Sequence, residues 1–359
     1  MIESRTAPTT KSRRTVSTLL AGAGPTGALR GVIQAVVLAI VVMALPAVFT
    51  PYWVQVFTSV AVYSIVALSL ALLLGRVGLV SLCQIALLAL GGWVALRLHF
   101  AFDLPFEVLL LATGLIVGVV GTMIGLPALR LSGLYLALIT LMAAAGFTQV
   151  LQATNFPNGG PGFLGYSSSI MGTTTATASL PRPEYLASDA AFFRMVVVVA
   201  ALMFVVGWLH VRGRAGRAWA AIRQSESAAI AAGVNVTKYK LWAFALASFM
   251  TGVAGCLLAA SAGGLTTYAF PAQDSITLLA VVLMGGIFTF WGPLVAALLL
   301  KFLPELLKNW GLPADALLIL FGIGVLQAML TAPAGLAVQV PKDLANLGRA
   351  LAGLAGRAK

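Results

Sequence analysis

The sequence predicts an all-α integral membrane protein: a polytopic helical bundle of about ten transmembrane segments with both termini in the cytosol. Of its 359 residues, 60% are hydrophobic and only 9% are charged, whereas about 25% of residues are charged in soluble globular proteins. The mean hydropathy is +1.00, and the apolar residues form runs close to the ~20 residues that a helix needs to cross a bilayer. This composition excludes a cytosolic enzyme, a disulfide-stabilised secreted domain and a disordered chain.

Nine apolar runs mark the candidate spans, which in chain order are 31–49, 53–74, 79–98, 106–126, 131–152, 190–210, 241–263, 275–303 and 315–332. The run 275–303 is the weakest, because glycines, a tryptophan and a proline interrupt it. We expect two short elements there, 275–289 and 292–307, joined at a break. The candidate hinge residues are Gly285, Gly286, Gly292 and Pro293.

The basic residues between the runs predict the orientation of the chain. With a cytosolic N-terminus, Arg76, Arg130 and the basic residues of 211–240 all lie inside. Only a double crossing at 275–307 then brings the basic C-terminus inside as well. The predicted organisation is a cytosolic tail 1–30, a transmembrane domain 31–336 with a periplasmic loop 153–189 and a cytosolic loop 211–240, and a cytosolic tail 337–359.

The formal net charge of +12 is therefore an orientation signal, and we expect membrane lipid but no nucleic acid as a partner. The cysteines, Cys83 and Cys256, lie in apolar runs and are interpreted as core residues, and neither His99 nor His210 has a partner at metal-ligand spacing. We expect no metal site. The chain has no G-x-x-x-x-G-K-[ST] loop for ATP and no nucleophile–His–Asp set, so we expect no catalytic residue and no cofactor of its own.

The third run contains candidates for a solute path. Gln84 lies inside it, and Gly91 and Gly92 would let helix backbones approach closely. The Gln84 amide has two interpretations: an interhelical hydrogen bond, or a group that lines a path, since polar side chains at membrane depth often face cavities. Thr140 and Gln149, in the fifth run, are further path candidates.

The segment 153–189 is long and poor in charge. Glycines and prolines in 155–165 permit tight turns and a close approach to another surface. We interpret this part as an ordered docking or gate element, with a flexible surface loop as the alternative, and 166–186 as a flexible loop. The candidate docking or gate residues are Asn155, Gly159, Gly160 and Pro161.

The segment 211–240 predicts two short helices. Ser225 can cap the second, Glu226 lies in its first turn, and a run of alanines continues to Gly233. Their small apolar faces, including Trp219, suit a groove on a partner protein; helices lying on the membrane surface are the alternative. The candidate docking residues are Arg217, Trp219, Arg223, Glu226 and Gly233.

Several ordered motifs give the chain a resemblance to a known family over about 53–336. They are Gly75–Leu82, Leu129–Leu141, Gly159-Gly160-Pro161, Gly216–Arg223, Glu226–Leu241, Gly285-Gly286 to Trp291-Gly292-Pro293, and Pro333–Leu336. With these motifs the chain resembles the permease subunits of branched-chain amino acid ABC importers, in particular the second, LivM-type subunit.

The resemblance implies that 31–336 is a permease domain and 211–240 a loop that couples it to an ATPase. It also implies a second permease subunit as heterodimer partner, two cytosolic ATPase subunits that bind ATP and Mg, an extracytoplasmic solute-binding protein, and the bacterial inner membrane. The implied solute is a branched-chain or related hydrophobic amino acid.

Two departures from the family pattern leave the solute open. Cys83-Gln84 replaces the Gly-His that usually follows Ser-Leu, and 167–179 is an unusual Thr/Ser-rich extension. Urea, short amides and aromatic acids are therefore alternative solutes. An ion-coupled secondary transporter and a membrane scaffold are alternative functions, although no Asp or Glu lies at the centre of a predicted span.

Overall fold

A computed structural model describes residues 44–128, 133–153, 179–265, 269–311 and 335–339, with helical residues at 319, 322–324 and 326–327. The chain divides into two compact units, 1–50 and 51–359. In the first unit the description covers 44–50, which are helical at 44–48. All regular structure in these described parts is helical. The predicted N-terminal tail, the C-terminal tail from residue 340 onward and most of the runs 31–49 and 315–332 lie outside them.

Eleven α-helices with defined bounds lie within the described residues 51–309 of the second unit. They are α1 Pro51–Ala71, α2 Gln84–Phe102, α3 Phe106–Ala128, α4 Leu134–Ala153, α5 Asp189–Arg212, α6 Arg214–Gln224, α7 Glu226–Ala231, α8 Val236–Ala262, α9 Gln273–Gly285, α10 Gly292–Ala297 and α11 Leu303–Asn309. The π-helical segment Leu72–Val77 extends α1, a second one, Leu298–Phe302, joins α10 to α11, and Glu184–Leu186 forms a 3₁₀ turn.

Five helical segments are long and apolar enough to cross a membrane, namely Pro51–Val77, Gln84–Phe102, Phe106–Leu126, Asp189–Arg212 and Val236–Ala262. Tyr135–Val150 and Gln273–Gly285 are apolar but shorter. The predicted membrane helical bundle is thereby confirmed, and the protein is a multi-pass membrane protein. The count of ten segments and the side on which the termini lie stay predictions.

The core of the second unit is built around α8, which packs against α1, α2 and α3. Small residues make this packing close. A Cβ atom added to Gly255 of α8 would lie 2.4 Å from the Leu88 carbonyl oxygen and 2.8 Å from the Gly91 Cα of α2. The two backbones therefore touch without intervening side chains, which is typical of helix contacts in membranes.

The run 275–303 forms two helices joined by a turn, as predicted, but the first helix ends at Gly285 and not at 289. Gly286 has φ +107°, a conformation that favours glycine, and hydrogen bonds between Thr289 and Gly286 close the turn. With 13 residues, α9 is about 20 Å long, which is shorter than the ~30 Å hydrocarbon layer. It packs against α10 and does not continue into it.

Side-chain contacts bring three separate segments to one end of the second unit. Arg223 of α6 donates to the Gly75 carbonyl oxygen, and Arg76 donates to the Phe288 carbonyl oxygen. The π-helical segment 72–77, the segment 212–240 and the turn 286–291 therefore meet, and we name this region the basic end. The opposite end includes Tyr52, which donates to the Glu305 carboxylate.

Candidate functional site

The most elaborate polar region at the basic end is the α6–α7 pair. The Ser225 hydroxyl accepts a hydrogen bond from the Ala228 N–H at 3.3 Å and so caps α7. Gly233, with φ +79°, ends it. The Asn235 side chain then accepts from the Lys238 N–H at 3.0 Å and begins α8. The two predicted helices are confirmed, because these stop and start signals are local in the sequence.

The inner face of α6 holds the pair to the transmembrane bundle. Trp219 is 1% exposed, and its indole N–H donates to the Tyr239 carbonyl oxygen at 2.9 Å. Lys240, also buried, forms a 2.5 Å ion pair with Glu226. The expectation that Trp219 offers its ring to a partner is therefore wrong: the indole fills this chain's own core and positions the loop.

The outer face of α7 is free of such contacts in the described structure. Ile230 is 63% exposed, and Ala228, Ala231, Ala232 and Gly233 around it are exposed as well. The Glu226 side chain is 52% exposed while it is paired with Lys240. The sequence did not single out Ile230, because the alternation of buried and exposed positions in a six-residue helix depends on how the helix docks.

Arg223 connects this pair to both helix breaks at the basic end. Its guanidinium donates to the Gly75 carbonyl oxygen at 2.5 Å and lies 4.4 Å from the centre of the Phe288 ring, a cation–π distance. Arg76 donates to the Phe288 carbonyl oxygen at 3.3 Å. Arg217, which is exposed like Arg223, lines a small cavity with Arg214.

A buried polar cluster joins α1, α2 and α8. The Thr251 hydroxyl donates to Gln84 Oε1 at 2.9 Å, and the Ser69 hydroxyl lies 3.3 Å from the same oxygen and 2.9 Å from Thr251 Oγ1. The interhelical hydrogen bond predicted for Gln84 is present. Gln84 Nε2 is buried and has no hydrogen-bond partner among the described residues. Ser69 and Thr251 were missed, because isolated hydroxyls in apolar helices carry no spacing signal.

The other path candidates do not converge on this cluster. Gly91 and Gly92 face α8 and Leu265 and serve helix packing. Thr140 accepts from the Leu82 N–H at 2.9 Å and so holds the segment before α2. Gln149 is exposed on α4. The gate candidates Asn155, Gly159, Gly160 and Pro161 lie outside the described residues.

The hinge candidates come together tightly at the turn between α9 and α10. A Cβ atom on Gly285 would lie 2.4 Å from the Gly292 carbonyl oxygen, and one on Gly335 would lie 2.2 Å from the Gly286 Cα. Pro293 is buried in the first turn of α10. The turn therefore has no room for side chains at its glycines, and it is held against residue 335 from the far end of the chain.

At the opposite end, Tyr185 donates a hydrogen bond to the Glu107 carboxylate. This bond stabilises the protonated phenol and raises the pKa of Tyr185 above its ordinary value of 10.0. Nearby, Arg182 forms a 2.6 Å ion pair with Asp189 and donates to the Ser261 carbonyl oxygen at 3.1 Å. These contacts tie the start of α5 to the end of α8.

A family model for the permease component of branched-chain amino acid transport systems matches residues 52–329 of the chain. The chain belongs to this permease family. It is 30% identical over 318 residues to the high-affinity branched-chain amino acid transport system permease protein LivM of Salmonella typhimurium. That alignment covers 83% of this chain and 73% of the relative. LivM of Escherichia coli is 30% identical over 329 residues, with 84% and 73% covered. No solved structure matches the chain.

Within the matched region, this permease carries two charged side chains, Asp274 and Lys301, that no sequence motif singles out. The Lys301 ammonium lies 4.1 Å from the centre of the Tyr63 ring and acts electrostatically on the Asp274 carboxylate at the start of α9. Among the described residues the two do not form a salt bridge. They were missed because each stands alone beside an apolar run.

Proposed function

We propose that the chain is a permease subunit of a binding-protein-dependent ABC importer. Together with a second permease subunit it forms the path for branched-chain or related hydrophobic amino acids across the bacterial inner membrane. The energy comes from ATP, which two cytosolic ATPase subunits bind with Mg and hydrolyse. An extracytoplasmic binding protein delivers the solute. The basic end is the cytosolic side in this proposal, in accordance with the positive-inside rule.

The observation that carries the proposal is that α6 is anchored in the protein while α7 presents an exposed apolar surface. The first is anchored by the buried Trp219, and the second presents Ile230 and a surface of small residues outward. A short exposed apolar helix on a rigid base suits a groove on a partner, because docking then moves the base and not a flexible loop. The family supports an ATPase as that partner.

The contacts of Arg223 suggest how docking acts on the membrane helices. A displacement of α7 moves α6, and α6 is bonded through Arg223 to Gly75 and to the Phe288 ring. Those two points belong to the π-helical extension of α1 and to the turn between α9 and α10. Both are breaks in regular α-helix, where segments reorient at low cost. ATPase closure would therefore rotate α1 and the α9–α10 pair together.

The test is reconstitution of the chain with its sister permease, the two ATPases and the binding protein in liposomes. We expect leucine uptake that needs ATP and every subunit, and we expect Ile230→Asp to abolish co-purification of the ATPases. Lys308→Asp, which introduces the same residue at the opposite end, should leave ATPase binding intact. Uptake by the chain alone under an ion gradient would refute the proposal, as would full ATPase binding by Ile230→Asp.

A further inference from the structure

An apolar groove runs along the membrane-spanning part of the permease between α3, α5 and α8. Its volume is about 630 Å³, within the range of small-molecule sites, and its walls include Leu115, Val119, Met123 and Phe249. Leu115, Val119 and Met123 are more than half exposed in the chain. The groove reaches toward the basic end as far as Trp242 and His210.

Two smaller cavities continue the groove out of the membrane-spanning part. One, of about 460 Å³, shares Thr122, Trp242 and Ala245 with the groove and adds Lys238. The next, of about 270 Å³, shares Tyr239 with that cavity and adds Arg214 and Arg217. Among the described residues no carboxylate lines any of the three, and Glu226 at the start of α7 is paired with Lys240. The series thus changes from apolar to basic along its length.

Aromatic side chains mark the level at which this change occurs. Trp242 is 51% exposed, and its ring centre lies 5.9 Å from that of His210. Two residues before His210 on the same helix, the Trp208 ring lies 4.2 Å from the Arg212 guanidinium. Tryptophans are enriched at the boundary between hydrocarbon and headgroups, where their amphipathic rings are stable. The groove therefore lies at acyl-chain depth, and the basic side chains lie at headgroup depth.

We propose that this groove is a binding site for one anionic phospholipid, with an acyl chain between α3 and α8 and its phosphate held by Lys238 and Arg214. The shape and the charge agree on this occupant. Basic residues beside transmembrane helices attract anionic headgroups, and an apolar groove of this depth accepts a hydrocarbon chain. A neutral helix from another subunit would fill the groove but would leave the adjacent basic residues without counter-charge.

The experiment is native mass spectrometry of the purified full-length chain, titrated with phosphatidylglycerol and, separately, with phosphatidylcholine of the same acyl chains. We expect one phosphatidylglycerol to bind tightly and phosphatidylcholine to bind at least tenfold more weakly. Lys238→Ala should weaken phosphatidylglycerol binding about fivefold, and the Arg214→Ala/Lys238→Ala double variant roughly thirtyfold. The matched control is Lys308→Ala, which removes an exposed charge at the opposite end and should leave binding unchanged.

A second arm tests the acyl-chain groove independently of charge. Ala245→Phe places a ring in the groove and should reduce phosphatidylglycerol binding at least tenfold, whereas Leu202→Phe, on the exposed side of α5, should not. Met123→Trp fills the same groove from α3 and replaces Ala245→Phe if that variant does not fold.

Three results would overturn the proposal. Equal binding of the two lipids would show that the site does not select an anionic headgroup. Unchanged binding in the groove-filling variants would show that the lipid adsorbs to the surface and does not enter the groove. Loss of the bound lipid when the importer is assembled would identify another subunit as the occupant. Because binding is measured on the purified chain, its failure leaves the proposed transport function untouched.

Discussion

The glycine contact between α2 and α8 predicts that two Gly→Ala substitutions change the stability of the protein in opposite directions. In Gly255→Ala, the new methyl group would lie 2.4 Å from the Leu88 carbonyl oxygen and 2.7 Å from the Gly92 nitrogen. These are backbone atoms of a packed helix, so no side chain can rotate away. Since ordinary contacts lie near 3.5 Å, the two helices must separate by about 1 Å.

Overpacking of this kind costs about 1–3 kcal/mol, and the higher helix propensity of alanine returns up to ~1 kcal/mol. We therefore expect Gly255→Ala to be destabilised by up to about 2 kcal/mol. Gly146→Ala is the matched control, because Gly146 lies within α4 and a Cβ atom there meets nothing within 4 Å. Only the propensity gain applies to it, so its stability should rise slightly.

The assay is a heating series on the detergent-purified variants, with the surviving monodisperse fraction measured by size-exclusion chromatography. We expect the midpoint of Gly255→Ala to fall by a few degrees, at about 2–4 °C per kcal/mol, and that of Gly146→Ala to stay level or rise. Equal shifts in the two variants would refute the close approach of α2 and α8.

Three further predictions concern polar contacts. Arg223→Ala removes a charged hydrogen bond to Gly75 and the contact with Phe288, so uptake by the reconstituted importer should fall about tenfold while ATPase co-purification persists; Arg223→Lys should restore part of it, and unchanged uptake would contradict the linkage. Thr251→Val removes a donor to Gln84 and should lower the stability measured in the heating series by about 1 kcal/mol. Thr58→Val should lower it less, because the Thr58 hydroxyl bonds only its own helix, at Val54. Equal losses of stability in the two variants would contradict the interhelical hydrogen bond. The bond from Tyr185 to Glu107 raises the pKa of the phenol, so while Glu107 is ionised the stabilisation is complete below pH 10 and is lost as the pH rises through the raised value. In a spectrophotometric titration Glu107→Gln should shift the pKa of this tyrosine down toward its ordinary value, and an identical titration in the variant would argue against the bond.

Local signals explain why the α6–α7 pair was predictable. Ser225, Glu226 and Gly233 act within one or two turns of their own position, and the structure forms the cap and the stop where the sequence indicates them. The break at 285–293 was predictable for the same reason, since its glycines and Pro293 act on their own backbone. The four-residue error in the end of α9 reflects the packing of Gly285 against Gly292, which belongs to the turn as a whole.

Non-local contacts explain what sequence reasoning missed. Trp219 was expected to face a partner, but hydrophobicity alone does not tell an indole that docks outward from one that fills its own core. The exposure of Ile230 in the same pair of helices depends on which face α6 packs against the bundle. The cluster of Gln84 with Thr251 joins residues 167 positions apart, and no periodicity in either helix encodes that pairing.

Composition and charge placement were sufficient to establish a multi-pass membrane protein, because a bilayer demands long apolar helices whatever their arrangement. The family motifs were likewise readable along the chain, since each is a short contiguous stretch. Only the tertiary structure shows that Gly255 contacts Gly91 and that Arg223 contacts Gly75 and Phe288. It also shows that basic side chains lie at one end of an apolar groove. Inside a bilayer most apolar faces are chemically alike, so partners are selected by close packing and a few polar contacts, and these depend on residues far apart in sequence.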